Sequence, residues 1–493
     1  MSQGGNMRGD RSLSRRGFLR FCAMAAGGTL LAACAPAQPQ IVKETVEVTV
    51  KETVPVTVKE TVQVQVTTVP KGKVVVEWWW LWGGVNGTEG LKAMSEAFNA
   101  QSDSIAVKSL VPAGDINEKY TTAIAGGNPP DLAVGVWTAF SELAARGGLM
   151  PLDEWLSAST VIQKDDFFPG LFEASTWMGK IYGVQCAECG PRQGLMYNVD
   201  LVKGAGLDPN KPPQTWEEVY DWHQSITKLD KAGNVVVLGL DPLDAMGGRT
   251  PSADTDILWM DSFGAKWWDQ PNLSFTFDQE AVIRTFTTIK KFYDSVGVTK
   301  MEGYRSSYGT WTASPQASFP AGVEGMILDG YWSPPWMKTN GPKVNFTATW
   351  APTSEERKGK KYQNVGGHQG NIPKGAKHPE EAFKLLEFLT TDEAATINWD
   401  KTGFLSARKS WVQKNTDRII KDVPQEEFFL RSMFEADEMW PSPLCPIVGF
   451  VGSEWNKAVS NVNYGKRTPE EAAKDLQAAV TAEMDKQRPG FIK

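Results

Sequence analysis

Residues 74–99, VVVEWWWLWGGVNGTEGLKAMSEAFN, constrain the fold of this chain more than any other stretch. The opening β-branched run has the composition of a strand buried on both faces of a parallel sheet. Gly83 and Gly84 break it. Asn86, with Glu89 three residues later, reads as a helix N-cap, and Leu91, Met94 and Phe98 recur at helical spacing. Strand, glycine loop and helix in that order open a doubly wound α/β domain, and such sheets bind ligands beyond the carboxyl ends of their strands. Four tryptophans, Trp78, Trp79, Trp80 and Trp82, crowd that end. Trp78 and Trp79, inside the strand, read as core; Trp80 and Trp82 read as facing a ligand.

The chain has 493 residues, too many for one ordinary core, so two lobes plus extensions are expected. Its formal net charge is -7, and the five arginines and one aspartate of residues 1–33 leave about -11 on the remainder. An acidic body without a basic cluster excludes nucleic acid as a partner and disfavours phosphate-rich ligands. Three of the five cysteines, Cys186, Cys189 and Cys445, belong to the body. The pair Cys186-x-x-Cys189 lacks a second such pair and lies far in sequence from His223, His368 and His378, so no metal site is expected. A local disulfide or two packed thiols both fit this spacing.

The N-terminus carries an address. SRRGFLR (14–20) precedes a short apolar stretch ending at Ala33, too short to span a bilayer and therefore an export signal. Its paired arginines resemble the twin-arginine signal, and LAAC (31–34) resembles a bacterial lipobox whose Cys34 becomes lipidated and N-terminal after cleavage. An octad then repeats three times, VKETVEVT, VKETVPVT and VKETVQVQ (42–65), with no large apolar residue to build a core. Residues 34–72 therefore read as a lipidated cysteine and a spacer, which extended would reach on the order of 120 Å.

Strand and helix signals alternate through the rest. Trp137 follows the apolar run Leu132–Val136, with a helix expected from about Ser141. Thr215 with Glu218, and Thr468 with Glu471 after Pro469, have capping-box spacing. Met326–Leu328 reads as a buried strand, and Ala382, Leu385, Leu386 and Leu389 form the apolar stripe of a helix. The pattern is that of two α/β lobes.

Five stretches, in this order, resemble the extracellular solute-binding proteins of bacterial ABC importers, the family that includes maltose-binding protein. They are GGNPPDLAV (126–134), GLMYNVDLVKGAGLDPNKPPQTWEEV (194–219), AGVEGMILDGYW (321–332), GGHQGNIPKGAKHPEEAFKLLEFLT (366–390) and GFLSARKS (403–410). The resemblance implies a type II periplasmic-binding fold: residues 73–193 and 344–410 as one lobe, residues 194–343 and 411–493 as the other, a hinge between them and an interlobe ligand cleft. It implies a membrane permease as partner, which recognises the closed shape, and ATP hydrolysis on a separate subunit. No cofactor is expected, and the sequence has no GxxxxGK[ST]. The chain is then an exported binding protein anchored to the outer face of the cytoplasmic membrane through Cys34.

A sugar offers flat C–H faces for aromatic rings and hydroxyls for carboxylates, amides and arginine. Trp80, Trp82, Trp137, Trp332 and Trp336 fall at or just past strand ends and are the stacking candidates, with Trp332 favoured by the resemblance. Asn86, Glu188, Arg192 and His368 are the polar candidates, although Asn86 fits equally as a helix cap and Glu188 with Arg192 as a surface pair. Asp131 and Glu324 read as structural. Against this stand a non-sugar solute, a secreted carbohydrate-active enzyme built on Asp165–Asp166 or Asp254 and Asp256, and an adhesive lipoprotein. The last two leave the ordered motifs unexplained, and the sequence lacks HExxH and GxSxG.

Overall fold

The computed structural model of the chain describes residues 72–80, 87–135, 137–245 and 259–492. Cys34, the octads, Trp82, Asn86, Asp254 and Asp256 lie outside the described residues.

The chain begins a sheet with β1 (Val74–Trp80), β2 (Ile105–Leu110) and β3 (Leu132–Val134). β1 lies between the other two and parallel to both, with Val74 opposite Ile105 and Trp80 opposite Val134. The helices expected after these strands form at Gly87–Gln101 and at Trp137–Ala145, the second starting at Trp137 itself rather than near Ser141. After β4 (Val184–Pro191) the chain leaves for a second sheet of β5 (Gly194–Asn198), β6 (Lys228–Leu229), β7 (Val235–Leu240), β8 (Glu324–Asp329) and β9 (Phe346–Thr349), in the order β9-β5-β8-β7-β6. It then returns through β10 (Tyr362–Asn371) and later β11 (Glu438–Pro441), completing the first sheet in the order β11-β10-β3-β1-β2, with β4 paired to β10.

Two details move the expected lobe boundaries. Residues 346–349 pair antiparallel with β5, so the return to the first sheet lies beyond Thr349 and not at residue 344. β11, within the segment expected in the second lobe, pairs parallel with β10 and extends the first sheet. Sequence periodicity cannot assign an edge strand to one sheet or the other, because the pairing that decides it is non-local.

The core follows the apolar patterns. Every residue of β5 and β8 is buried, as double-sided strands require. Helix Pro379–Leu389 packs on β1, β3 and β4, with Ala382, Leu385, Leu386 and Leu389 buried. Thr468 and Glu471 form a complete capping box at the start of helix Pro469–Gln487, whose Ala473, Leu476, Val480 and Met484 are buried. At helix Trp216–Ile226 the box is modified. The Thr215 hydroxyl accepts from Glu218 N, but Glu218 reaches back one residue further, to Gln214 N at 2.7 Å.

Asp131, buried between β1 and the start of helix Pro379–Leu389, fastens three segments. One carboxylate oxygen accepts from Glu77 N at 2.9 Å, and the other from Lys377 N and His378 N, both at 2.9 Å. Where the chain passes between the sheets, the fully buried Gln363 does similar work: it accepts from Gln193 N at 3.3 Å and donates to Gln193 O at 2.8 Å and Ser432 Oγ at 3.0 Å.

The three body cysteines are free thiols. Burial pushes the Cys186 thiol up to about 12, against a hydrogen bond from the Gly370 backbone, and raises Cys445 further. Such thiols are poor nucleophiles, so alkylation at pH 8 followed by peptide mass spectrometry should leave Cys186 and Cys445 unmodified until the protein is unfolded. Replacing Asp131 by Ala strands three backbone donors and should lower the unfolding free energy by about 3 kcal/mol in urea titrations, with Asp131→Asn intermediate.

Candidate functional site

The period of two along β1 sorts its tryptophans. Trp78 and Trp80 share one face, are closed off from solvent, and meet edge to face with ring centroids 5.8 Å apart. Trp79 lies on the other face, half-buried, its indole donating to Glu77 at 2.7 Å. Trp80, expected to face a ligand, is 1% exposed and packs with Trp78.

On the second sheet, β8 ends at Asp329 and a short loop leads into helix Ser333–Asn340, with Trp332 at the N-cap. Trp332 is 3% exposed and sits against Trp311 (5.8 Å between centroids) and Tyr331 (5.3 Å); Trp336, one turn on, is buried. This loop touches the first sheet's side of the molecule. Tyr331 N donates to Pro191 O at 3.3 Å, the Tyr331 ring rests on Gly190, where a Cβ would come within 2.8 Å of it, and Phe404 lies 6.4 Å away. Pro335 likewise occupies the space beside Gly403, which caps helix Asp392–Thr402 in the left-handed conformation only glycine adopts freely.

Arg192 follows β4 directly, its N–H donating to Asn364 O at 2.9 Å. His368 stands on β10 opposite Glu188 of β4, at a shift of register between His368 and Gln369, the kind of irregularity that re-aims side chains. Trp137 is the first residue of its helix. The Tyr331 loop thus joins the end of β8 to the end of β4.

Beneath Trp332, Asp329 is fully buried with the Ser333 and Thr312 hydroxyls on its carboxyl. Burial pushes it up to about 7, opposed by the bonds from Ser333 and Gly330 N and assisted by the nearby Asp244. A carboxyl raised in the folded state contributes stability below its ordinary value of 3.8 and loses that contribution as pH rises to about 7. Wild-type denaturation midpoints should therefore fall over that range more steeply than those of Asp329→Asn.

Sequence reasoning missed a cavity of about 850 Å³. Its walls come from both sides of the chain crossings: Glu173 and Thr176, residues 261–270, Arg357, and residues 438–448. Trp267, Trp268 and Trp440 line it, and of the nominated residues whose side chains are described, Trp80, Arg192, Trp332, Trp336 and His368, none does. The Trp268 indole donates to Leu444 O at 3.0 Å and its ring lies 4.9 Å from Phe275. The Trp440 indole donates to Glu438 at 2.9 Å, and the same carboxylate takes the Arg357 guanidinium at 2.8 Å. Burial alone would raise the Glu438 carboxyl, but these two donors hold it below the usual range. Asp261 accepts from the Asn364 amide on β10, and burial pushes its carboxyl upward despite Asn364 and Arg357. The Ser442 hydroxyl and Arg357 Nε make no hydrogen bond among the described residues. The signal that could have found this site was WW at 267–268 and the lone Trp440 before the proline-rich run 441–446, but only the tertiary fold brings them together.

Asp166, nominated in the enzyme reading, is occupied: it accepts from Arg408 Nε at 2.7 Å and from Ser410 N and Oγ at 2.9 and 2.6 Å, at the start of helix Lys409–Asp422.

Residues 84–396 match the family of bacterial extracellular solute-binding proteins. The chain is similar to a maltooligosaccharide ABC transporter solute-binding lipoprotein of Streptococcus pneumoniae, 24% identical over 68% of this chain and 75% of that protein. It is similar also to an uncharacterised ABC transporter extracellular-binding protein of Pyrococcus horikoshii, 23% identical over 76% of this chain and 80% of that one. In fold it is similar to the structure of CpMnBP1 with mannotriose bound, with a TM-score of 0.70, 24% identity, and coverage of 83% of this chain and 100% of that one. Motif order, two-sheet topology and a match over more than half its length place this chain in the bacterial extracellular solute-binding protein family.

Proposed function

We propose that this protein is the substrate-binding subunit of an ABC importer, and that it captures a sugar or oligosaccharide between two α/β lobes and hands it to the membrane permease on hinge closure. The observation that carries the reading is an aromatic-walled cavity of about 850 Å³ at the crossings between the sheets of a solute-binding protein, within the size range of ligand sites. The similarity to a maltooligosaccharide-binding lipoprotein and to a structure with mannotriose bound supports the ligand class.

In this reading residues 73–193 and 362–410, with β11, make one lobe. Residues 194–349 and the helices of 411–493 make the other. Trp332, Trp336, Arg192 and His368 are in this reading solute contacts outside the wall of that cavity, and Trp80 backs the first lobe's sheet. The chain binds and releases; it carries out no covalent chemistry. A twin-arginine signal exports it, and acyl chains on Cys34 hold it at the outer face of the membrane. Among the described residues no helix is long and apolar enough to cross a bilayer.

Calorimetry with mono- and oligosaccharides tests the ligand class: micromolar or tighter binding of at least one is expected, and binding only of amino acids, polyamines or peptides would remove the sugar while leaving transport. For the best ligand, Trp332→Ala should weaken affinity by about tenfold; an unchanged value takes Trp332 out of the site. Cys34→Ala should move the protein from the membrane pellet to the soluble fraction on cell fractionation.

A further inference from the structure

Helix Pro469–Gln487 packs on one part of the molecule, and the residues just past its end are tied to another. Along its length it lies on helices Val448–Asn463 and Glu280–Val296. The Gln477 amide fastens it there, accepting from Phe277 N at 2.6 Å and donating to Phe275 O at 3.0 Å. Residues 488–492 then reach the first lobe. Ile492 N donates to Ala145 O at 2.7 Å, and the Trp177 indole donates to Ile492 O at 3.0 Å. Phe491 is buried, edge to face with Trp177 at 6.2 Å between centroids, and the Arg146 guanidinium carbon stands 5.2 Å over its ring. Arg146 also donates to Gln487, the last residue of the helix. None of these groups lines the cavity described above. A second hold acts on the turn that follows Trp177: the Gln270 amide accepts from Met178 N at 3.3 Å and donates to Thr176 O at 3.1 Å.

Hydrogen bonds of this kind weaken steeply once donor and acceptor part by more than about 0.5 Å. The two lobes therefore cannot turn against each other while Ile492 stays on Ala145 and Trp177. The position of the strap gives the sense of that restraint. Helix Trp137–Ala145 starts just after β3 and runs back from its carboxyl end, so at 1.5 Å per residue Ala145 lies about 12 Å from that edge. Ligands of such sheets sit beyond the carboxyl ends of the strands, and the strap grips the far side. Lobes that close over a solute at those ends swing apart behind, where residues 488–492 hold them together.

We infer that residues 488–492 are a latch between the lobes, which keeps them unclosed and which solute capture has to undo, with Phe491 seated between Trp177 and Arg146 as its bolt. The inference rests on the two-lobe binding reading above and adds to it a built-in opposition to closure; it does not depend on which solute is bound.

The test uses the full-length acylated protein in detergent, with nitroxide labels on Lys384→Cys in the first lobe and Thr287→Cys in the second, both exposed positions. Pulsed electron paramagnetic resonance reads the distance between them without solute. Removal of residues 488–493, and separately Phe491→Ala, should each move at least about a tenth of the molecules to a second distance. Trp177→Phe, which keeps a ring and loses the donor to Ile492 O, should populate the same second distance to a smaller extent. Maltotriose, used as the probe ligand in calorimetry, should bind the first two variants about threefold more tightly than wild type. Distance distributions identical to wild type in all three variants overturn the latch, and so does a maltotriose affinity that falls on its removal. If no sugar binds, the carbohydrate reading fails by itself, and the distances still decide the latch. Should the shortened chain fail to fold, Phe491→Ala and Trp177→Phe carry the comparison.

Discussion

A single carboxylate facing three backbone N–H groups underlies the first sheet. Asp131 holds β1 through Glu77 and the approach to helix Pro379–Leu389 through Lys377 and His378, joining segments about 300 residues apart. Three peptide N–H groups need acceptors, and the two oxygens of one buried side chain supply all of them at 2.9 Å. With that knot in place, the helix whose Leu385 and Leu386 cover the sheet is fixed against β1, β3 and β4. The strand ends on which a ligand would rest then have a defined position.

The cavity wall follows a related logic, in which donors are spent to hold rings. Glu438 accepts from both the Trp440 indole and Arg357, so a charged pair at the cavity wall serves to orient an aromatic face. Surface ion pairs contribute little to stability by themselves; here the gain is in orientation. The loop at Trp332 uses close packing instead, with Tyr331 on Gly190 and Pro335 beside Gly403.

How much of this was legible in the sequence varied with how local the deciding interaction was. The capping box at Thr468, the stripe on helix Pro379–Leu389 and the buried strand around Ile327 depend on neighbours a few residues away, and the structure has them where the pattern puts them. The structural role of Asp131 was legible too, from its place after two prolines, although its three partners were not. The sheet membership of β9 and β11 was hidden because pairing partners are chosen across the chain. The division of the β1 tryptophans followed position along the strand, whereas the pleat groups Trp80 with Trp78. Trp268 and Trp440 escaped for the same non-local reason: Trp268 lies outside the two large sheets, Trp440 lies in an edge strand that only the fold reveals, and each becomes notable only when the fold brings it to one cavity.

The passage between the sheets is fastened at Gln363 by amide contacts to Gln193 and Ser432. An amide neither titrates nor carries a net charge for salt to screen. A protein exported beyond the cell's own buffering meets whatever acidity and ionic strength its surroundings impose. A fastening built this way keeps its geometry through such changes, so the passage between the sheets is insulated from the medium even where the carboxylates are not.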